Sequence, residues 1–367
     1  MNKGMTREDS QFMYGIAILM MVNHHLFCWN SRNSYSLFSL LPWDNAQVRF
    51  AWLCRLCVSI FAFISGYGMC RIAEKKGRTE RCRPGEIVHG YRLAVRQILK
   101  LMKKYWIVFA IFVPLGLMVH KLDLIGPWHF LLGLLGIDNS YNAEWWYVRQ
   151  YMFMLMLFPI LDWLVCCLYV FCEKNIIRKL SYGRTLLRIL SILILLLFAV
   201  FRNSGVLIGF INLLDDGRFV YTLIFIEGYL CAFFELFSIG CKSPLYCRIK
   251  PFFCLLMLAA CIGVRYIRAY GPTYVKYDAF ITAPIIYSIL ILTERFGGFR
   301  RIVMRVGKYS TYIWLCHTFF ISYYFINFFN SARYAVLIYL MALAVSMVSA
   351  VLLTRVEKWL FCSIMGT

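Results

Sequence analysis

Two adjacent histidines, His24 and His25, lie near the end of an apolar stretch that predicts a membrane-spanning helix over residues 12–28. Imidazole is costly inside hydrocarbon unless it faces protein, water or a substrate path, so the pair indicates a functional site. A neutral imidazole can take the proton of a hydroxyl group, or it can itself attack an activated carbonyl. The structural alternative for either ring is an interfacial residue or an interhelical hydrogen-bond partner.

Other polar residues interrupt other apolar stretches. Arg55 falls in the outer half of the second predicted span, where a charge needs a partner or a cavity. Ser65 precedes Gly66 in the same span, and small residues there are also explained by close helix approach. His317 lies about a third of the way into a late span, so it has the same two interpretations as the first pair.

The start of the fourth predicted span combines tryptophan with charge. A double tryptophan at an interface is typical of an aromatic belt, and this alternative holds for Trp145. Glu144 and Arg149 add polar groups that a belt does not require. Aromatic faces and paired charges also suit a sugar ring, so we expect an acceptor to bind beside these three residues.

A row of cations leads into the third predicted span. Arg92, Arg96 and Lys100 recur every four residues and therefore share one face of a helix, with Lys103 close by. Such a row suits a ligand that carries several phosphates. Binding to lipid headgroups is the alternative interpretation.

Composition fixes the class of protein. The 367 residues are 61% hydrophobic and 18% aromatic, with a mean hydropathy of +0.67. A hydrocarbon core about 30 Å thick needs roughly 20 apolar residues per helix, and the chain has many such runs. We predict an all-α integral membrane protein of about ten transmembrane helices in one domain, 1–367. The spans are 12–28, 48–71, 93–119, 145–172, 186–202, 219–238, 251–268, 276–294, 307–329 and 333–354.

Two further stretches are predicted not to span. Residues 122–137 are apolar but short and contain Gly and Pro, which favours an interfacial or re-entrant piece. Residues 203–217 are predicted to form a loop. No small-residue cleavage site follows the first apolar run, so a cleavable signal peptide is not expected.

The basic residues predict the orientation. Most of the 39 Lys and Arg residues fall in segments that lie on the cytoplasmic side if both termini are cytoplasmic. The net charge of +21 therefore needs no nucleic acid, and anionic membrane lipids are the expected partners of these loops. The 15 cysteines show no metal-ligand spacing, so no metal site is expected.

Five stretches, taken in order, resemble the acyltransferase 3 family of polytopic membrane acyltransferases. The resemblance implies an acyl-CoA substrate, usually acetyl-CoA, no permanently bound cofactor, and O-acylation of an envelope glycan or exopolysaccharide at a bacterial inner membrane. The matching stretches are TREDSQFMYGIAILMMVNHHLF (6–27), CVSIFAFISGYG (57–68), RQILKLMKKYW (96–106), EWWYVRQYMFMLMLFPIL (144–161) and VGKYSTYIWLCHTFF (306–320).

The resemblance also implies roles for individual residues. The essential histidine of the family matches His25, with His24 beside it, and the family's basic cluster falls on Arg96, Lys100 and their neighbours with a different spacing. Eleven residues before the histidine the family often has Arg or Lys, whereas this chain has Tyr14. Tyr14 and His25 share a helix face about 16 Å apart, but a phenol supplies no fixed charge.

Two other classes of function fit part of the pattern. A glycan transporter or flippase would also need many spans, buried charges and an aromatic entrance, but it is disfavoured because matching Gly- or Pro-broken spans in two halves are missing. A non-catalytic family member is the other alternative, and it depends on Tyr14. Turnover of an acyl-CoA thioester separates an enzyme from both.

Overall fold

In the computed structural model, the described residues are 4–28, 46–83, 85–174, 189, 193, 219–238, 244–267 and 277–365. Every regular element in these ranges is helical. The α-helices are α1 (Arg7–Phe27), α2 (Ala46–Leu53), α3 (Leu56–Ala73), α4 (Arg78–Arg81), α5 (Glu86–Met118), α6 (Pro127–Leu134), α7 (Trp146–Cys172), α8 (Phe219–Phe233), α9 (Pro244–Ile267), α10 (Asp278–Thr293), α11 (Gly297–Lys308), α12 (Ser310–Thr318), α13 (Ile326–Ser331) and α14 (Ala335–Met365). A 3₁₀ turn, Ala143–Trp145, precedes α7, and another, Leu236–Ser238, follows α8.

Five helical stretches of the described residues are long and apolar enough to cross a membrane. Two shorter apolar helices, Phe219–Phe233 and Asp278–Thr293, accompany them. The prediction of an all-helical membrane protein is thus confirmed, whereas ten spans and the orientation stay predictions. The five stretches are Ala46–Ala73, Glu86–Met118, Ala143–Cys172, Arg248–Ile267 and Ala335–Leu360.

Several boundaries differ from the predicted spans. The span 48–71 is divided into α2 and α3 by a turn at residues 54 and 55, and the span 307–329 is divided after Thr318 by a π-helical segment, Phe319–Tyr324. Wide turns of this kind often occur beside functional sites. The predicted span 186–202, apart from residues 189 and 193, and the predicted loop 203–217 lie outside the described residues.

The chain divides into two compact units, each built from three separate segments. The first contains Met1–Met13, Val58–Gln97 and Phe153–Gly297, and the second contains Tyr14–Cys57, Ile98–Met152 and Gly298–Thr367. The single domain expected from the sequence stays a prediction.

Close helix packing characterises the first unit. A Cβ atom added to Gly66 in α3 would overlap the backbone of Phe225 in α8, and one added to Gly228 would overlap the backbone of Phe63. The two helices therefore approach through their glycines, as small residues allow in membranes. The hydroxyl of Ser65 donates to the carbonyl of Phe61, 2.7 Å away in the same helix.

Buried ion pairs also tie elements of the first unit together. Arg81 Nη1 lies 2.6 Å from Asp162 Oδ1, which also accepts a hydrogen bond from the Tyr229 hydroxyl. A second pair joins Arg265 Nε to Asp278 Oδ1 at 2.8 Å. Pairing is needed because an isolated charge is costly away from water.

Contacts within the second unit fix the part of α1 that begins at Tyr14. Gly15 allows α1 to lie directly against the backbone of Val303 in α11. The Tyr339 hydroxyl of α14 donates to the Leu19 carbonyl at 3.1 Å. These contacts position the helix that carries the histidine pair.

Candidate active site

His24 connects α1 to α2. Its Nδ1 atom lies 2.8 Å from the backbone carbonyl of Ala51, and because a carbonyl only accepts, this nitrogen carries the proton. The ring meets the Trp52 indole edge-on, with centroids 5.4 Å apart. The His24 side chain is buried and therefore anchors two helices.

His25 instead faces a carboxylate. Its Nδ1 atom lies 3.4 Å from Glu144 Oε1, and the two side chains keep 12% and 24% of their exposure, so a ligand could reach them. A carboxylate at Nδ1 favours the tautomer whose Nε2 atom has a free lone pair, as in hydrolases that pair histidine with an acid. Such contacts are often long without substrate and shorten when it binds.

A second imidazole lies beside the first. The rings of His25 and His317 have centroids 5.1 Å apart, tilted by 50°. His317 is fully buried, and its Nδ1 atom lies 3.0 Å and 2.9 Å from the carbonyls of Ile313 and Trp314. Nδ1 must donate there, so the neutral ring has an accepting Nε2, which has no hydrogen-bond partner in the described part of the chain.

A hydrogen-bonded pair outside the predicted site fixes the position of Glu144 relative to His317. The amide of Asn142 and the hydroxyl of Thr318 are connected in both directions, at 2.8 Å and 3.1 Å. Asn142 Oδ1 also accepts from the Glu144 backbone N–H at 3.1 Å. Sequence reasoning missed both residues, although an Asn just before a turn is a recognisable cap.

Trp145 is buried in the second unit, with an exposure of 1%. Its indole N–H donates to the Leu315 carbonyl at 3.0 Å, and its ring meets those of Tyr105 and Phe109 at 4.7 Å and 5.9 Å. Protein side chains therefore cover the Trp145 ring, and this packing holds the turn that carries Glu144. Tyr105 lies near the middle of α5, so the turn that carries Glu144 packs against the middle of that helix.

The structure places the other predicted acceptor residues in different environments. Arg55 stands at the turn between α2 and α3, with its guanidinium carbon 5.9 Å from the centre of the Trp52 ring. It thus lies one aromatic ring away from His24. Arg149 is exposed on α7, and Tyr14 is half-buried on α1, three turns before His25. Ser65 belongs to the first unit.

The predicted basic row lies on one continuous helix, α5, which contributes residues to both units. Arg92, Arg96, Lys100 and Lys103 are all exposed. The neighbouring Lys104 has its ammonium group 5.3 Å from the centre of the Tyr312 ring. The exposure of the row means that an anionic ligand or lipid headgroups can reach its four side chains.

No group of three or more His, Cys, Asp or Glu side chains suited to a metal ion occurs within the described ranges. The contacts described above bring together two imidazoles, His25 and His317, and the carboxylate of Glu144. Such a set can bind a hydroxyl group, take its proton, or form a bond to a carbonyl carbon.

Comparisons with known proteins give one result for nearly the whole chain. A family model described as an acyltransferase domain (Acyl_transf_3) matches residues 11–355. The matched range includes both histidines of α1, Glu144, His317 and the basic row of α5. No curated protein and no solved structure matches the chain.

Proposed function

Because the chain belongs to the acyltransferase 3 family, as its five motifs predict, we propose that it moves an acyl group from acyl-CoA to a hydroxyl of an envelope glycan. Family and apolar helices together make it a multi-pass membrane protein of acyltransferase type. Acetyl as the acyl group, exopolysaccharide or another surface glycan as acceptor, and the bacterial inner membrane as location belong to the proposal. The observation that carries it is the His25–Glu144 pair.

In the first of two routes, His25 is a general base. Glu144 accepts the Nδ1–H of His25, and Nε2 takes the proton of the acceptor hydroxyl as its oxygen attacks the thioester carbonyl. The carbon–sulfur bond then breaks, and the imidazolium returns the proton to the departing CoA sulfur. The products are the O-acyl glycan and free CoA.

In the second route, His25 is the nucleophile. Nε2 attacks the thioester carbonyl, the carbon–sulfur bond breaks, and CoA leaves as the thiolate while the acyl group stays on the imidazole. The acceptor oxygen then attacks the acyl carbon, the carbon–nitrogen bond breaks, and the hydroxyl proton is released and neutralises the CoA thiolate. This route allows donor and acceptor to visit from opposite sides of the membrane. Both routes need a His25 ring whose Nδ1 atom faces Glu144 and whose Nε2 atom carries the lone pair.

The exposed cations of α5 are proposed to bind the phosphates of the coenzyme. Lys103 precedes Tyr105 by two residues, and the Tyr105 ring contacts Trp145, the neighbour of Glu144. Lys103, the last residue of the row, thus lies about 3 Å from Tyr105 along the axis of α5, although the two side chains project from different sides of the helix. Phosphates held there would leave the thioester arm free to extend toward His25.

Thioester turnover by the purified protein tests the proposal. The protein is placed in lipid nanodiscs with acetyl-CoA, and release of the CoA thiol is followed with and without oligosaccharides from the host's envelope polysaccharide. We expect slow release alone and faster release with acceptor, together with acyl groups on the sugar. A protein that releases no thiol under either condition would contradict the proposal and favour transport or a non-catalytic role.

The acylation state of the envelope provides the cellular test. We expect ester-linked acyl groups on the host glycan to disappear when the gene is deleted and to return when it is restored. Unchanged acylation in the deletion strain would exclude this glycan as the acceptor.

A further inference from the structure

Two side-chain amides near the histidine pair are buried without any role in the chemistry above. Asn23 has an exposure of 9%, and its Oδ1 atom has no hydrogen-bond partner within the described ranges. Gln47 buries both Oε1 and Nε2, and neither atom has a partner there. Buried polar atoms are nearly always paired in proteins, so three such atoms in one region require an explanation.

Both amides lie within one helical turn of the same contact between α1 and α2. Asn23 precedes His24, whose Nδ1 atom lies 2.8 Å from the Ala51 carbonyl. Gln47 precedes Ala51 by four residues and so shares its face of α2. The half-buried indole of Trp52 packs edge-on against the His24 ring.

We propose that Asn23 and Gln47 form the acceptor subsite and bind hydroxyl groups of a neutral sugar next to the position that is acylated. A primary amide both donates and accepts, which matches neighbouring hydroxyls that do the same. The inference rests on the proposed function and adds the residues that select the acceptor.

The chemistry of the unpartnered atoms of Asn23 and Gln47 restricts the class of ligand that can bind them. The oxygen of Asn23 can only accept, so a phosphate or carboxylate in contact with it would be repelled. An apolar ligand would leave all three atoms unpaired. A ligand rich in hydroxyls satisfies them.

The donor offers a competing explanation, because the pantetheine arm of CoA also carries amides and a hydroxyl. The two ligands are separated by measuring each KM. Gln47→Met and Asn23→Leu replace the amides with apolar groups of similar size. We expect either change to raise the acceptor KM at least about tenfold while the donor KM stays within about twofold.

Asn330 supplies a matched control, since it is also buried with an unpartnered amide nitrogen but lies in α13. We expect Asn330→Leu to keep both KM values at the wild-type level. Thermal unfolding in the absence of ligand gives a second readout. Removing an unpaired polar atom should leave the unfolding temperature of the Gln47 and Asn23 variants unchanged or higher.

Three results would overturn the subsite: an unchanged acceptor KM, a donor KM that rises in its place, or an unfolding temperature that falls in both variants. If the wild type releases no CoA, the proposed function fails separately. The subsite is then judged by calorimetric binding of envelope oligosaccharides to the wild type and to Gln47→Met. Equal binding, or binding to neither, would reject it.

Discussion

The imidazole rings of His25 and His317 lie 5.1 Å apart, although the two residues come from opposite ends of the chain. They are held differently, since His25 faces the carboxylate of Glu144 whereas the Nδ1 atom of His317 is held by backbone carbonyls of its own helix. A ring held by carbonyls keeps its place whatever the charge of the site. The backbone of its own helix thus fixes the position of the His317 ring, whose Nε2 atom is an acceptor. The orientation of the His25 ring depends instead on the side chain of Glu144.

Glu144→Gln is expected to lower kcat for transfer at least about tenfold with little change in either KM. An amide can still meet Nδ1, but it can present its NH₂ group there, and it no longer stabilises the imidazolium that forms during proton transfer. Steady-state kinetics with acetyl-CoA and acceptor measure the split between kcat and KM. Glu80→Gln, which makes the same change at an exposed carboxylate of α4, is the matched control and should be close to wild type.

An unchanged kcat in Glu144→Gln would remove the carboxylate from the mechanism. A rise in KM alone would make Glu144 a binding residue.

Thr318→Val is expected to displace the turn that carries Glu144 without removing a reacting group. It removes a buried hydroxyl that exchanges hydrogen bonds with Asn142, and a buried amide left unpaired costs about 1–3 kcal/mol. We expect a lower unfolding temperature together with reduced kcat. Thr318→Ser keeps the hydroxyl and should recover most of both losses.

Comparable loss of activity in Thr318→Ser and Thr318→Val would show that the methyl group, and not the hydrogen bond, matters at this position.

The sequence predicted the parts of this site better than their arrangement. His25 and His317 stand out because each interrupts an apolar run, Glu144 stands out because it adds charge at the start of a predicted span, and a family motif contains each one. Their meeting is a contact between distant segments, which no local pattern encodes. Asn142 has only the weak signal of a capping residue in sequence and Thr318 has none, whereas their burial in the structure makes both informative.

Helix breaks were the hardest feature to predict. The run 48–71 is apolar throughout except for Arg55, and hydropathy treats it as one span. The break at residues 54 and 55 comes three residues after Ala51, whose carbonyl meets His24 of α1, and hydropathy does not register such a contact between helices. The π-helical segment at Phe319–Tyr324 has no hydropathy signal either, because its residues are as apolar or aromatic as those of a regular helix.

Replacing Arg96 and Lys100 together with Gln is expected to raise the donor KM at least about tenfold and to leave the acceptor KM unchanged. Each exposed cation would donate a charge-assisted hydrogen bond to a phosphate of the donor. Because solvent weakens such bonds at an exposed site, two changes are needed for a clear effect. The double change of Arg301 and Arg305 to Gln, on the exposed face of α11, removes the same charge elsewhere. Equal effects of both pairs would indicate general attraction or lipid binding in place of a donor site.

The orientation of the chain is expected to place residues 72–92 in the cytoplasm and residues 30–46 outside. Tyr35→Cys and Glu80→Cys are labelled with a thiol reagent that does not cross membranes, and the wild type gives the background of the native cysteines. We expect labelling at position 35 in intact cells and at position 80 only after permeabilisation. The reverse pattern would put the basic row on the outer side, away from acyl-CoA.

His25→Ala should lower transfer by about 10²- to 10⁴-fold while the protein still inserts and folds. The reason is that in both proposed routes its Nε2 atom reacts while Nδ1 faces Glu144, and that alanine is well tolerated in a helix. His24→Ala should lose less activity but more stability, because its Nδ1 atom binds the Ala51 carbonyl and its ring packs on Trp52. Adjacent residues project about 100° apart on a helix, so the two rings do not serve one acceptor equally.

Transfer rates and unfolding temperatures are measured for both variants, with His89→Ala on α5 as a histidine control. Wild-type transfer by His25→Ala would refute the mechanism, whereas an inactive but fully stable His24→Ala would exchange the two roles.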